Sequence, residues 1–192
     1  MVRFYTYLEV FLQSPGRQVL LSEFEAHFKV PHQTIKPHLE KLVRARVIDC
    51  EQRGRFLFYG LNFKNPLLKD YLVVCEKERL FAFLEKNPLM RELHKRIRME
   101  KALVFGSSAI SKSFNDIDIL VLGKSAKSSS ELKPFEQTYS VKTHILATAE
   151  KNLTETFLKE IKKKHIILSC HEYFVGVLYR DELVQKTGDE AD

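Results

Sequence analysis

Residues Ala102–Gly123, ALVFGSSAISKSFNDIDILVLG, set an apolar strand running into Gly106-Ser107-Ser108 and then a second apolar strand opening with Asn115-Asp116-Ile117-Asp118. Side chains at i and i+2 of a strand share a face, so Asp116 and Asp118 project together while Ile117 and Ile119 turn into a core. Two carboxylates at that spacing can grip one or two divalent cations through oxygen. Gly106 lets the backbone approach a phosphate closely, and Ser107 and Ser108 add hydroxyl donors, so the bend can hold a triphosphate opposite the metals. The competing view, a pair of exposed or capping acids at a strand start, makes the whole strand, loop and strand context accidental.

Towards the C-terminus, Val141–Leu146 reads as a further strand, Leu153 to Lys163 as a helix, and His165–Phe174 as a closing strand and turn. His165 and His171 have no partner spacing that suggests a metal. The segment resembles the nucleotidyltransferase superfamily, specifically its small prokaryotic and archaeal domains, whose signature is a hydrophobic strand, GS, a loop and DxD. Gly106, Ser107, Asp116 and Asp118 match that motif residue by residue, and the resemblance covers roughly residues 88–184. It implies a mixed sheet flanked by helices that binds magnesium with ATP or another nucleoside triphosphate. It also implies transfer of a nucleotide monophosphate to an acceptor, which could be a protein side chain, an RNA end or a small molecule. Two departures stand out: the loop from Ser107 to Asp116 is slightly short for the family, and the third carboxylate of active members is missing. In its place the strand Val141–Leu146 carries His144, which as a third catalytic residue would serve as base or metal ligand. A lone strand histidine also has an ordinary structural reading.

In the N-terminal third, Phe4, Tyr7, Leu8, Phe11 and Leu12 mark one apolar helix face that stops at Ser14-Pro15-Gly16. Ser22 is the expected cap of a second helix, with Glu23 and Glu25 in its first turn and Phe24 and Phe28 on one face. After Lys29-Val30-Pro31 a third helix is expected from His32 to Ala45, burying Ile35, Leu39, Leu42 and Val43, with Pro37 forcing a late start or a kink. Val47–Glu51 and Phe56–Tyr59 then read as a hairpin around Gln52-Arg53-Gly54-Arg55. Residues 4–62 resemble the winged-helix domains of archaeal and bacterial transcription regulators. That resemblance puts the third helix in the DNA major groove, with Gln33, Thr34, Lys36, His38, Lys41 and Arg44 outward and Arg53 and Arg55 on the wing near phosphates. A solvated helix face, or a wing used for protein contacts, is the competing view.

Charge placement agrees with a polyanion partner for this third alone. Between Lys29 and Lys64 eight basic residues face three acidic ones, which holds most of the net charge of +6. The three cysteines Cys50, Cys75 and Cys170 are scattered and are expected as buried free thiols. No apolar run approaches a membrane span and no secretion signal opens the chain, so the expectation is a soluble, cytoplasmic protein without a membrane partner.

The organisation expected is α+β in two domains: a winged helix-turn-helix over 1–64, a connecting helix over 65–87, a nucleotidyltransferase-fold mixed sheet flanked by helices over 88–184, and a disordered tail over 185–192. The apolar stripe Leu68, Tyr71, Leu72, Cys75, Phe83, Leu84 fits packing within the chain or a homodimer equally well. Two functions follow. One is a DNA-binding protein that binds nucleoside triphosphate and magnesium and transfers a nucleotide. The other is a transcription regulator whose degenerate nucleotidyltransferase domain is a nucleotide sensor or dimerisation module. A toxin–antitoxin style partner that modifies another protein rests on family analogy alone.

Overall fold

A computed structural model describes residues 4–97, 101–111, 114–123 and 128–185 of the chain. The sequence also predicts a helix from Leu89 to about Met99; its end, the side chain of Phe4 and the tail from Lys186 lie outside the described residues. The fold is α+β with two sheets, and the chain forms two compact units, Met1–Glu78 with the segment from Val175, and Arg79–Phe174. The divisions fall inside helices. α3 (Leu68–Lys86) runs past the first, and α7 (His171–Leu178) past the second.

The first unit opens with a 3₁₀ helix, Phe4–Phe11, where an α-helical face was expected. At three residues per turn, Tyr7 stacks over Val10 and Leu8 over Phe11, and all four are buried. β1 (Val19–Leu20) leads into α1 (Leu21–Phe28). The helix starts one residue before Ser22, which is exposed and is not its cap. The capping contact comes from inside the helix, where Glu23 Oε2 accepts the Leu20 N–H at 2.8 Å. Lys29 ends α1 in the left-handed region at φ 55°. α2 (His32–Arg44) follows at full length, without the late start expected from Pro37. Gln33 and Pro37 both lie on the exposed side, where water can satisfy the carbonyl that Pro37 leaves without a donor.

β2 (Ile48–Arg53) and β3 (Phe56–Leu61) pair antiparallel from Ile48↔Leu61 to Arg53↔Phe56, leaving Gly54-Arg55 as a two-residue turn. Gly54 takes φ 60°, the value that the first central position of a type II′ hairpin turn requires. β1 adds to the far side of β3, a strand that sequence periodicity did not signal because it is only two residues long. The first unit also takes back the end of the chain: the Tyr179 hydroxyl donates to Glu76 Oε1 at 2.7 Å, with both groups buried.

The second unit holds α4 (Pro88–Arg96), β4 (Ala102–Phe105), β5 (Asp116–Leu122), α5 (Ser128–Tyr139), β6 (Lys142–Thr148), α6 (Glu155–Lys163) and β7 (His165–Ile167). The strands lie in the order β6-β5-β4-β7, mixed in direction: β5 runs parallel to β6, and β4 runs antiparallel to β5 and β7. One face of the sheet carries Ala102, Val104, Ile117, Ile119, Val121, Ile166 and Leu168 into a core shared with Met90, Leu93, Leu132 and Phe135. Burying each large side chain of this set stabilises the unit by about 1.5–3 kcal/mol. α6 is capped by Thr154, whose hydroxyl accepts the Phe157 N–H at 3.3 Å. Where a turn was expected up to Phe174, a helix begins at His171, its Phe174, Val175 and Leu178 spaced to bury one face; α8 (Arg180–Gln185) follows.

The cysteines correct an expectation. Cys75 is buried, but Cys50 sits exposed on β2 and Cys170 exposed in a left-handed turn at φ 54°. Among the described residues no helix is long and apolar enough to cross a membrane.

Candidate functional site

Strand register assembles the site. Phe105 of β4 stands opposite Asp118 of β5, and Asp118 stands opposite His144 of β6. Partners opposite one another share a face, so Asp118 and His144 lie side by side on the face away from the core. Asp116, two residues before Asp118, joins them, while Ile117 and Ile119 are fully buried on the other side. His144 Nδ1 is 3.6 Å from Asp116 Oδ2 and 3.4 Å from Asp118 Oδ1. One ligand atom from each of the three residues falls within 4.8 Å of the others, a donor set suited to a single divalent cation. The three side chains stay partly open to solvent, so a bound cation would keep coordination positions for a substrate.

The glycine bend faces these carboxylates. Gly106 has φ 74°, a backbone conformation that costs an L-residue strain, and a Cβ built on it would lie 3.0 Å from Asp118 Oδ2. Its N–H donates to the Lys164 carbonyl at 3.1 Å, which ties the bend to the end of α6. Ser107 is exposed at the start of the short 3₁₀ helix Gly106–Ala109 and remains free to face a ligand. Ser108 does not. It is fully buried, and its hydroxyl donates to the Phe105 carbonyl at 3.3 Å, so its role is to shape the bend rather than to touch a phosphate. Asp118 and the glycine therefore face each other across a short gap. Lys112 and Ser113, in the loop between them, lie outside the described residues.

A fourth polar group near the site was not legible from the motif. Glu136 of α5 accepts both the backbone N–H and the hydroxyl of Thr143 at 2.7 Å each. Those hydrogen bonds, with smaller help from Lys133 and His144, hold its carboxyl below the usual glutamate range. Glu136 thus pins β6 at the residue before His144. No sequence spacing could reveal it, because it comes from a helix on the opposite side of the strand. His165, fully buried, donates from Nδ1 to the Ile161 carbonyl at 2.9 Å and is structural.

On the first unit, Gln33, Thr34, Lys36, Lys41 and Arg44 are exposed along α2. His38 is the exception. It falls three residues after Ile35 and four before Leu42, within the buried stripe, and its ring stacks on Tyr7 with centroids 5.1 Å apart. Only a small shift in helical phase separates the outward from the inward reading of that position. At the hairpin tip both arginines are exposed but occupied: Arg53 makes two hydrogen bonds to Glu51, at 2.7 and 2.6 Å, and Arg55 lies over the Phe56 ring at 5.4 Å. Arg44 pairs loosely with Glu40 at 3.5 Å.

No family model matches the chain, and no curated protein or solved structure matches it significantly.

Proposed function

We propose that this protein binds a nucleoside triphosphate with a divalent cation at Asp116 and Asp118 and transfers a nucleotide monophosphate to an acceptor hydroxyl, while its N-terminal unit binds DNA as a winged helix. The observation that carries the first part is the closeness of the Gly106 backbone to Asp118, beside an aspartate pair on one face of β5. Divalent metal, when bound, supplies neutralisation of the phosphate charge. The chain's own residues supply the rest. Asp116 and Asp118 hold the cation, Gly106 admits a phosphate close to the backbone, and exposed Ser107 offers a hydroxyl donor. In the reaction the acceptor oxygen bonds to the α-phosphorus, the bond from that phosphorus to the bridging oxygen breaks, and pyrophosphate leaves. His144, whose Nδ1 lies within 3.6 Å of both aspartates, either takes the acceptor's proton or joins the two acids on the cation.

For the DNA-binding part, the supporting features are the exposed amides, hydroxyl and cations of α2 and the concentration of positive charge between Lys29 and Lys64. A helix of this kind followed directly by a hairpin is the arrangement by which winged helices enter a major groove. DNA affinity should fall steeply as salt rises, through counterion release.

A second reading, a regulator in which the domain senses nucleotide without turning it over, is favoured by the histidine standing where a third acid is expected. Purified protein with labelled ATP and magnesium separates the two. The enzyme reading expects pyrophosphate release that Asp116→Asn abolishes. The sensor reading expects no release, with ATP binding that changes DNA affinity. DNA affinity indifferent both to ATP and to loss of the two aspartates, together with no pyrophosphate release, removes both.

A further inference from the structure

We propose that His144 makes the Asp116–Asp118 site selective for a borderline transition cation, zinc above all, over magnesium. The inference rests on the reading that this site holds a divalent cation, and adds which one and why.

Magnesium is a hard cation that binds oxygen, demands near-octahedral geometry and keeps much of its water. An imidazole nitrogen contributes little to it. For zinc the same nitrogen is one of the preferred ligands, at a bond length of about 2.0–2.1 Å. Three protein ligands plus one open position is the arrangement of catalytic zinc sites. This site offers that number, with one nitrogen and two carboxylates within 4.8 Å.

Two of the three distances agree. In a tetrahedron with bonds of about 2.0–2.1 Å, ligand atoms stand about 3.3 Å apart. His144 Nδ1 stands 3.4 and 3.6 Å from its two carboxylate oxygens, near that spacing, and all three donor atoms lie within 4.8 Å, so binding a metal would draw the set together. The imidazole is exposed, but the backbone sets its place beside the acids. The register of β6 against β5 places it opposite Asp118, and Glu136 fixes that strand through both hydrogen bonds to Thr143. The same geometry allows a rival state, a protonated His144 pairing with both acids and taking the cation's place.

Almost any site of this kind prefers zinc to magnesium, so the wild-type ratio alone decides nothing. The informative quantity is how that ratio changes with residue 144. Full-length wild type, His144→Ala, His144→Asp and Asp118→Asn are each titrated with zinc and with magnesium by calorimetry, and cobalt absorption reports the coordination in place of zinc. Position 144 is exposed, so the substitutions should fold, which circular dichroism checks. His144→Ala is expected to lose at least tenfold in zinc affinity, to change magnesium affinity by no more than about twofold, and to lose the four-coordinate cobalt bands. His144→Asp should lower the zinc-to-magnesium ratio at least tenfold, with magnesium binding strengthened. Asp118→Asn should weaken both metals. If zinc and magnesium bind and His144→Ala moves neither, the selectivity is overturned while the metal-site reading stands. Zinc binding unmoved by both His144→Ala and Asp118→Asn lies elsewhere on the chain and overturns it as well. If wild type binds neither metal while His144→Ala binds them, the rival ion-paired state holds. Binding by no variant brings down the metal-site reading itself.

Discussion

Replacing Gly106 with alanine probes the contact on which the site depends, and its two costs separate. The first is conformational: at φ 74° an L-residue is strained by about 1–2 kcal/mol. The second is steric, because the new Cβ lies 3.0 Å from Asp118 Oδ2, tighter than most such contacts, so the carboxylate must give way by a few tenths of an ångström. Turning the carboxylate off its rotamer to relieve the contact costs about 0.5–1.5 kcal/mol. The total, about 1.5–3.5 kcal/mol, corresponds to a fall of roughly 3–14 °C in Tm for a chain of this size. A double-mutant cycle isolates the second part. In an Asp118→Ala background the oxygen is gone, so Gly106→Ala should cost only the backbone strain, leaving a coupling of about 0.5–1.5 kcal/mol. Urea titrations followed by circular dichroism give the four stabilities. An equal cost of Gly106→Ala in both backgrounds would refute the placement of the glycine against the carboxylate.

Three further outcomes test the frame around the site. Thr154→Ala removes the hydroxyl that caps α6 and should cost about 1 kcal/mol in a thermal or urea unfolding curve. Tyr179→Phe deletes the donor to buried Glu76 and should cost about 1–3 kcal/mol, whereas loss of no stability would mean that the chain's return to the first unit is not held there. Glu136 has a carboxyl pKa lowered below the free value of 4.5 by its bonds to Thr143, so its contribution is present above that value and disappears as pH falls through the folded-state pKa. Glu136→Gln should therefore reduce stability at neutral pH and flatten the acid limb of a stability-versus-pH profile.

Several features were legible because they are properties of a strand or a helix taken alone. Alternation along β5 announced that Asp116 and Asp118 share a face, and the two apolar runs around Gly54 announced the hairpin. Both depend on backbone periodicity, which a strand carries before it meets any partner. The same logic failed where neighbours decide. His38 was read as outward, yet the buried stripe of Ile35, Leu39 and Leu42 is wide enough to include it, and Tyr7 supplies the ring that it stacks on. Ser108 was read as a phosphate donor, but the tight 3₁₀ bend turns its hydroxyl back to Phe105. Exposed Cys50 and Cys170 contradict the usual burial of free thiols because one lies on a solvent-facing strand and the other in a left-handed turn.

By itself the amino-acid order determined which residues could form the site: two acids in step, a glycine able to take positive φ, and a histidine on a later strand. Only the tertiary structure decided that they meet. The parallel register of β6 on β5 brings His144 opposite Asp118, and the antiparallel register of β4 on β5 brings Gly106 up against the same carboxylate. Register is a relation between strands distant in sequence, set by which buried faces fit together, and no local pattern within either strand contains it.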